Sequence, residues 1–253
     1  MKDQLVNELI KYFLDESDRP NVDIPKIYAN KRALLRGLIN MREPKKIDEK
    51  ILEKEDKLLN EELKEKNITD VSSLDGKIIL LNKDITEIKC DAIVNNSDET
   101  MLGCFIPNHA CINNQIHTYA GIRLRLKCFE ITKGKKLSTS KVVLTDSYNL
   151  PCKYIIHTIG PVIENDITKD DIENLKSCYI NSLELAKKNN IKTITFPCIS
   201  TGNRHFPKDL AAKTVIQTVK EYLKEDNYFE KVIFSVYTLE DNNLYEKYIN
   251  EIK

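Results

Sequence analysis

Past residue 75 the chain alternates between short β runs and helical repeats, and this alternation limits the fold more than any other feature. Lys77–Leu81, Ala92–Val94, Val142–Thr145, Tyr154–Thr158, Thr193–Phe196 and Val232–Val236 are rich in Val and Ile and bounded by polar or turn residues, the marks of strands. Between them Ile116, Ala120, Leu124 and Cys128 recur at helical spacing. Leu175, Cys178, Leu183 and Ala186 form a second helical face, and Leu210, Ala211, Val215, Val219 and Leu223 a third. Strands that alternate with helices build a layered α/β/α domain around a mixed or mostly parallel sheet. Ligands of such sheets sit beyond the carboxyl ends of the strands, so chemistry is expected in the loops that lead into helices.

Before residue 75 the texture is helical throughout. Leu5, Leu9 and Phe13 recur at i, i+4; Ala33, Leu34, Gly37 and Leu38 make another apolar face; Ile51, Leu52, Leu58, Leu59 and Leu63 line one side of a charged stretch. Pro20, Pro25 and Pro44 punctuate these segments. The expected organisation is a helical N-terminal extension over residues 1–72 and an α/β domain over 73–253. The many Lys and Glu residues from Lys45 to Lys66 read as a solvated helix face.

With 39 Lys and Arg against 39 Asp and Glu, no net field draws the chain to nucleic acid or to an anionic membrane. No signal peptide and no run long enough to cross a bilayer is apparent. A cytoplasmic, reducing compartment is expected, where the 7 Cys stand for metal binding, catalysis or plain core rather than disulfides.

Three of the loop residues after Val94 are zinc-type ligands: Cys104, His109 and Cys111, spaced Cys-x4-His-x-Cys, with Pro107 restricting the loop between them. Structural zinc is normally closed by four protein ligands, whereas catalytic zinc keeps one position open, so a count of three favours an open site. Spacing alone does not separate this from two packed thiols beside an imidazole, nor from a closed site completed by Cys90 or Cys128.

A second loop, Phe196–Pro207, joins a strand to a helix. It offers the hydroxyls of Ser200 and Thr201, a Gly202 that can take φ > 0, and N–H groups at a helix start near Pro207. Such a loop suits phosphate oxygens, and Phe206 can stack on a sugar or base. Its plain alternative is an ordinary turn with Phe206 capping the core. Neither a P-loop nor a dinucleotide fingerprint is present.

Taken in order, Asp84-Ile85-Thr86, Asp91-Ala92-Ile93-Val94-Asn95, Ile116-His117-x-x-Ala120-Gly121, Tyr148-x-Leu150-Pro151, Tyr154–Pro161 and Phe196–Gly202 resemble the macrodomain family. The stretch Leu102-Gly103-Cys104-Phe105-Ile106-Pro107-x-His109-x-Cys111-Ile112-x-Asn114-x-Ile116-His117 is similar to the zinc-dependent members, and Arg32–Pro44 to the helical extension they carry. The resemblance implies a three-layer α/β/α macrodomain with a mixed sheet behind a helical extension, and a hydrolase that removes mono-ADP-ribose from proteins with one Zn2+ per chain. It implies that Asp84, followed by Ile85, meets the adenine, and that Ser200, Thr201, Gly202, Asn203, Arg204, His205 and Phe206 hold the diphosphate. Asn95 would approach the distal ribose, with zinc on Cys104, His109 and Cys111 beside it. A lipoyl carrier protein as target and a sirtuin-type ADP-ribosyltransferase as companion are implied as well.

Two positions depart from that pattern. Asn113 stands where such members carry Asp, and Asp98 where they carry Asn. A carboxylate accepts a proton and an amide does not. Asn113 therefore favours slow turnover, or an alternative role as a non-catalytic ADP-ribose reader, unless Asp98 supplies the carboxylate. His117 and His157 read as packing histidines, His205 as a loop residue with or without ligand contact, and Cys152, Cys178 and Cys198 as core thiols.

Overall fold

The structure, a computed structural model, describes residues 2–251. The chain divides into two compact units, one of Met1–Lys66, Met101–Lys133 and Tyr148–Leu150, the other of Asn67–Thr100, Gly134–Ser147 and Pro151–Lys253. The loop with Cys104, His109 and Cys111 thus falls in the unit of the N-terminal helices, a grouping that the boundary drawn from sequence at 72/73 does not anticipate.

The first unit holds α1 (Lys2–Glu16), α2 (Tyr28–Met41), α3 (Glu49–Leu63), α4 (Ile112–Ala120) and α5 (Ile122–Thr132). Leu5, Val6, Leu9, Ile10, Phe13 and Leu14 of α1 pack on Leu35, Leu38 and Ile39 of α2 and on Leu52 and Leu58 of α3, the periodic set expected of amphipathic helices. Largely buried bidentate pairs tie these segments together: Arg32 to Glu62 at 2.5 and 2.9 Å, and Arg42 to Glu16 at 2.7 and 2.9 Å. The charged face of α3 is not wholly solvated. Glu55 is 2% exposed and accepts from the N–H of Ile122 at 2.9 Å, capping α5. Burial pushes its carboxyl up to about 7. The repeat Ile116 to Cys128, continuous in sequence, is broken between α4 and α5 at Gly121, whose φ is 94°.

The second unit is built on a main sheet of six strands, with two more strands paired apart from it. In chain order its elements are β1 (Thr69–Asp70), β2 (Ile78–Asn82), β3 (Ile88–Lys89), β4 (Ala92–Ser97), β5 (Val142–Asp146), β6 (Tyr154–Ile159), α6 (Lys169–Lys188), β7 (Thr193–Phe196), α7 (Lys208–Glu225), β8 (Lys231–Val236) and α8 (Leu239–Glu251). The main sheet runs β2-β8-β7-β4-β6-β5, parallel except for β5, and β1 pairs with β3 separately. All six strands read from sequence are present, and the expectation of a mixed, mostly parallel sheet is met. Ala92, Val94, Ile156, Phe196 and Phe234 face α6, α7 and α8, whose Leu175, Leu183, Val215, Val219 and Tyr245 complete the core. Thr168 and Asp171 form a capping box that starts α6. Asn95, His157 and Thr195 alternate with that core set and are equally buried.

Candidate functional site

The chain turns into the Cys104 loop at Gly103, whose φ is 81° and whose added Cβ would fall 2.7 Å from Cγ of His117. A side chain is excluded there twice over, by conformation and by the imidazole beneath. That is the packing role read for His117, which is 4% exposed. Past this turn Cys104 Sγ lies 3.4 Å from Nδ1 of His109, and the ligand atoms of Cys104, His109 and Cys111 all lie within 4.8 Å of one another. A zinc ion ~2.0–2.3 Å from nitrogen and sulfur ligands needs donors a few ångströms apart, so this set fits one. All three side chains are half-buried. Burial first, and the neighbouring Cys104 second among the groups that raise it, push the Cys111 thiol up to about 11. Cys111 also caps the start of α4, its sulfur accepting from the N–H of Asn114 at 3.4 Å, a bond that works against this rise without overcoming it.

The cluster has three members. Cys128 is buried on α5 and is not among them, while Cys90 is held by Ala92 O at 3.2 Å and by the hydroxyl of Thr195 at 3.4 Å. Neither proposed fourth ligand of a closed site is thereby supported. Asn113, in the first turn of α4, is 7% exposed.

In the second unit the expected loops lie at the carboxyl ends of the strands. Asp84, after β2, accepts from Thr86 N–H and Oγ1, both at 2.8 Å and both at Oδ1, which fixes the carboxylate in a turn. Ile85 is 1% exposed and packs inward. Asn95, on β4, donates its amide to Nδ1 of His157 at 3.2 Å, and His157 Nε2 meets Thr145 Oγ1 at 3.0 Å. With Nδ1 accepting, the proton sits on Nε2, and burial holds the ring neutral by lowering its pKa to about 3. Asp98 accepts from Thr100 N–H at 2.7 Å and from its hydroxyl at 2.5 Å.

The Ser200–Phe206 loop differs from expectation in which residues carry its turn. Left-handed backbone falls on Ser200 (φ 66°) and His205 (φ 59°) rather than on Gly202. Gly202 instead leaves the loop crest open, since a Cβ there would meet nothing within 4 Å. Bonds from Phe206 N–H to Ser200 O at 3.0 Å and from His205 N–H to Gly202 O at 2.9 Å close the loop, while the N–H groups of Thr201, Gly202, Asn203 and Arg204 donate to no backbone carbonyl among the described residues. Ser200 Oγ is buried and without a hydrogen-bond partner among those residues. It occupies the space above Gly160, where an added Cβ would come within 2.1 Å of it. An orphaned hydroxyl and a row of unspent N–H groups are what an anion would satisfy. Arg204 donates to Gly160 O at 2.6 Å and to Ser97 O at 2.7 Å, bridging the ends of β6 and β4. Burial lowers its pKa, against the pull of Asp98. Asn203 and His205 are exposed and Thr201 is half-buried. Phe206 is 1% exposed within the core, so its ring caps the core as in the plain alternative and offers no stacking face here.

The Macro domain family matches residues 94–215. A protein-ADP-ribose hydrolase of Treponema medium is 38% identical over 251 residues, covering 94% of this chain and 95% of that protein. The chain belongs to the macrodomain family. A protein-ADP-ribose hydrolase of Staphylococcus aureus (strain MSSA476) is likewise 38% identical to this macrodomain, over 97% of this chain and 94% of its own. Among solved structures, the Trypanosoma brucei macrodomain in complex with ADP-ribose aligns with a TM-score of 0.63 at 27% identity, covering 72% of this chain and 77% of that one. The macrodomain fold, a mixed sheet flanked by helices, is thus shared, and in this chain N-terminal helices precede it. Two positions of this macrodomain have roles beyond those legible in the sequence, where His157 is a packing histidine and Asn114 only a part of the loop motif. One is His157, the partner of Asn95. The other is Asn114, which binds the Cys111 sulfur through its N–H. Asn114 lies three residues from Cys111, a proximity visible in the sequence, whereas His157 lies 62 residues from Asn95 and meets it only in the fold.

Proposed function

We propose that this macrodomain is a zinc-dependent hydrolase that removes mono-ADP-ribose from modified proteins. The observation that carries this reading is the convergence of Cys104, His109 and Cys111 within 4.8 Å, in a chain matched over nearly its full length by protein-ADP-ribose hydrolases. Hydrolysis adds water across the bond between the distal ribose and the protein side chain and releases free ADP-ribose. The two sulfurs of Cys104 and Cys111 and the imidazole of His109 would hold the zinc, which would supply Lewis acidity toward a ribose hydroxyl or a water. Asp84 receives the adenine amino group. The loop from Ser200 to His205 takes the diphosphate on its free N–H groups and the Ser200 hydroxyl. Asn95, held by a neutral His157, addresses the distal ribose with fixed geometry. The partners consistent with this reading are an ADP-ribosylated lipoyl carrier protein and a sirtuin-type transferase, in the cytoplasm. No described helix is long and apolar enough to cross a membrane.

A second reading, an ADP-ribose reader without turnover, is favoured by one observation: the first turn of α4 presents the amide of Asn113 where a carboxylate would serve as base. Release of ADP-ribose from a mono-ADP-ribosylated protein, followed for wild type, Cys111→Ala and Asn113→Asp, separates the two. A hydrolase releases ADP-ribose, loses activity with Cys111→Ala, and gains about tenfold or more with Asn113→Asp. A reader binds ADP-ribose and releases none from any substrate.

A further inference from the structure

The Cys104–Cys111 loop lacks helix or strand of its own, yet α2 holds several of its polar groups. Asn40, near the end of α2 and 1% exposed, accepts at Oδ1 from Asn108 N–H at 3.0 Å and from Asn114 Nδ2 at 3.1 Å. Arg36, one turn earlier, donates to Asn114 Oδ1 from Nε at 3.1 Å and from Nη2 at 2.6 Å, and also to the carbonyl of His109 at 3.2 Å. Ala33, a further turn back, accepts from Asn108 Nδ2 at 3.1 Å. These residues recur every three or four positions, so they form one stripe along α2. The apolar stripe of Leu35, Leu38 and Ile39 packs elsewhere, against α1 and α3.

Asn114 is the junction. Fully buried, it receives Arg36, binds Asn40 and reaches the carbonyl of Ile106 at 3.1 Å, while its own N–H meets the Cys111 sulfur at 3.4 Å. Every polar atom of its amide is used, an arrangement that fixes a conformation rather than merely filling space. From the other side Arg125 donates to Leu102 O at 2.7 Å and stands over the ring of Phe105 at 4.7 Å, bracketing Cys104.

We infer that α2 sets the conformation of the metal-binding loop in advance, with Asn40, Arg36 and Asn114 as positioning residues for His109 and Cys111. The N-terminal extension then has a defined task, building the ligand set. This inference rests on the zinc reading above. Outer partners of metal ligands typically change affinity ~10–100-fold, because a loop that is not held must be ordered when the ion binds.

The test is metal binding by the full chain, measured as Co2+ and Zn2+ affinity against a chromophoric competitor, with the visible bands of bound Co2+ reporting the ligand set. Far-UV circular dichroism and a thermal melt of each metal-free protein monitor the fold. Asn40→Leu and Arg36→Leu are expected to stay folded and bind ~10–100-fold more weakly with altered Co2+ bands. Asn40→Asp keeps the acceptor for Asn108 and Asn114 and is expected to restore affinity to within about threefold of wild type. If Asn40→Leu does not fold, Arg36→Leu, altered at a half-buried position, decides. Variants that bind as tightly as wild type with unchanged bands overturn the role of α2 and leave the zinc reading standing. A wild-type chain that binds neither ion overturns both.

Discussion

Asn95 Nδ2 lies 3.2 Å from Nδ1 of His157, so the amide predicted to meet the distal ribose is oriented by a histidine that the sequence presents only as a β-strand residue. The relationship carries a pH signature. The folded pKa of His157 is lowered to about 3 from an unfolded value of 6.5. Between these values the unfolded chain binds the proton and the folded chain does not, so the contribution to stability is complete above pH 6.5 and is lost as pH falls toward 3. His157→Gln lacks this proton. The stability of wild type relative to that variant is expected to fall by roughly 3 kcal/mol from pH ~6.5 to ~4, followed by urea denaturation at each pH. A pH-independent difference contradicts the assignment of a buried neutral ring.

Glu55 works in the opposite direction. Its carboxyl is raised from 4.5 to about 7 by burial, so its contribution is present below pH 4.5 and lost as pH climbs through 7. Glu55→Gln, which can still accept from Ile122, is expected to gain on wild type by roughly 2–3 kcal/mol over that window. The same denaturation series checks it, and a constant offset across pH refutes it.

Gly160 leaves room for the Ser200 hydroxyl, which would otherwise lie within 2.1 Å of a Cβ. Gly160→Ala is expected to displace the anion loop, lowering stability by about 1–3 kcal/mol and ADP-ribose affinity by about tenfold or more. Ser200→Ala, which removes an orphaned hydroxyl, is expected to cost affinity without costing stability. Calorimetric titration with ADP-ribose, beside thermal melts, distinguishes the two variants.

Arg204 spans the ends of β4 and β6 through two carbonyls. Arg204→Lys cannot make both bonds from one ammonium in that forked geometry. Arg204→Ala and Arg204→Lys are therefore both expected to weaken ADP-ribose binding by about tenfold, measured by the same titration. Unchanged affinity with Lys would show that charge alone matters.

Much of this was legible in the chain itself. Short Val- and Ile-rich runs bounded by polar or turn residues located every strand of the main sheet, because its central strands β4, β6, β7 and β8 are buried on both faces. The zinc-type spacing of Cys104, His109 and Cys111 marked a cluster that the fold does bring together. Three things were hidden, and each depends on distant residues. Gly121 breaks a repeat that looks continuous because Glu55, remote in sequence, caps the new helix. Phe206 reads equally as a ligand platform or a core cap until the helices around it are placed. In the anion loop, tertiary context puts left-handed backbone on Ser200 and His205, residues whose type does not advertise it, while Gly202 is spared. The helix Leu239–Glu251 gave little warning, since Tyr245 and Tyr248 carry most of its buried face.

Zinc content of the purified full-length protein, compared with that of Cys104→Ser, His109→Gln and Cys111→Ser, bears most directly on the account. About one zinc per wild-type chain is expected, with little retained by any of the three variants. A wild-type protein that remains at background after exposure to zinc, or variants that hold the metal as well as it does, would contradict it.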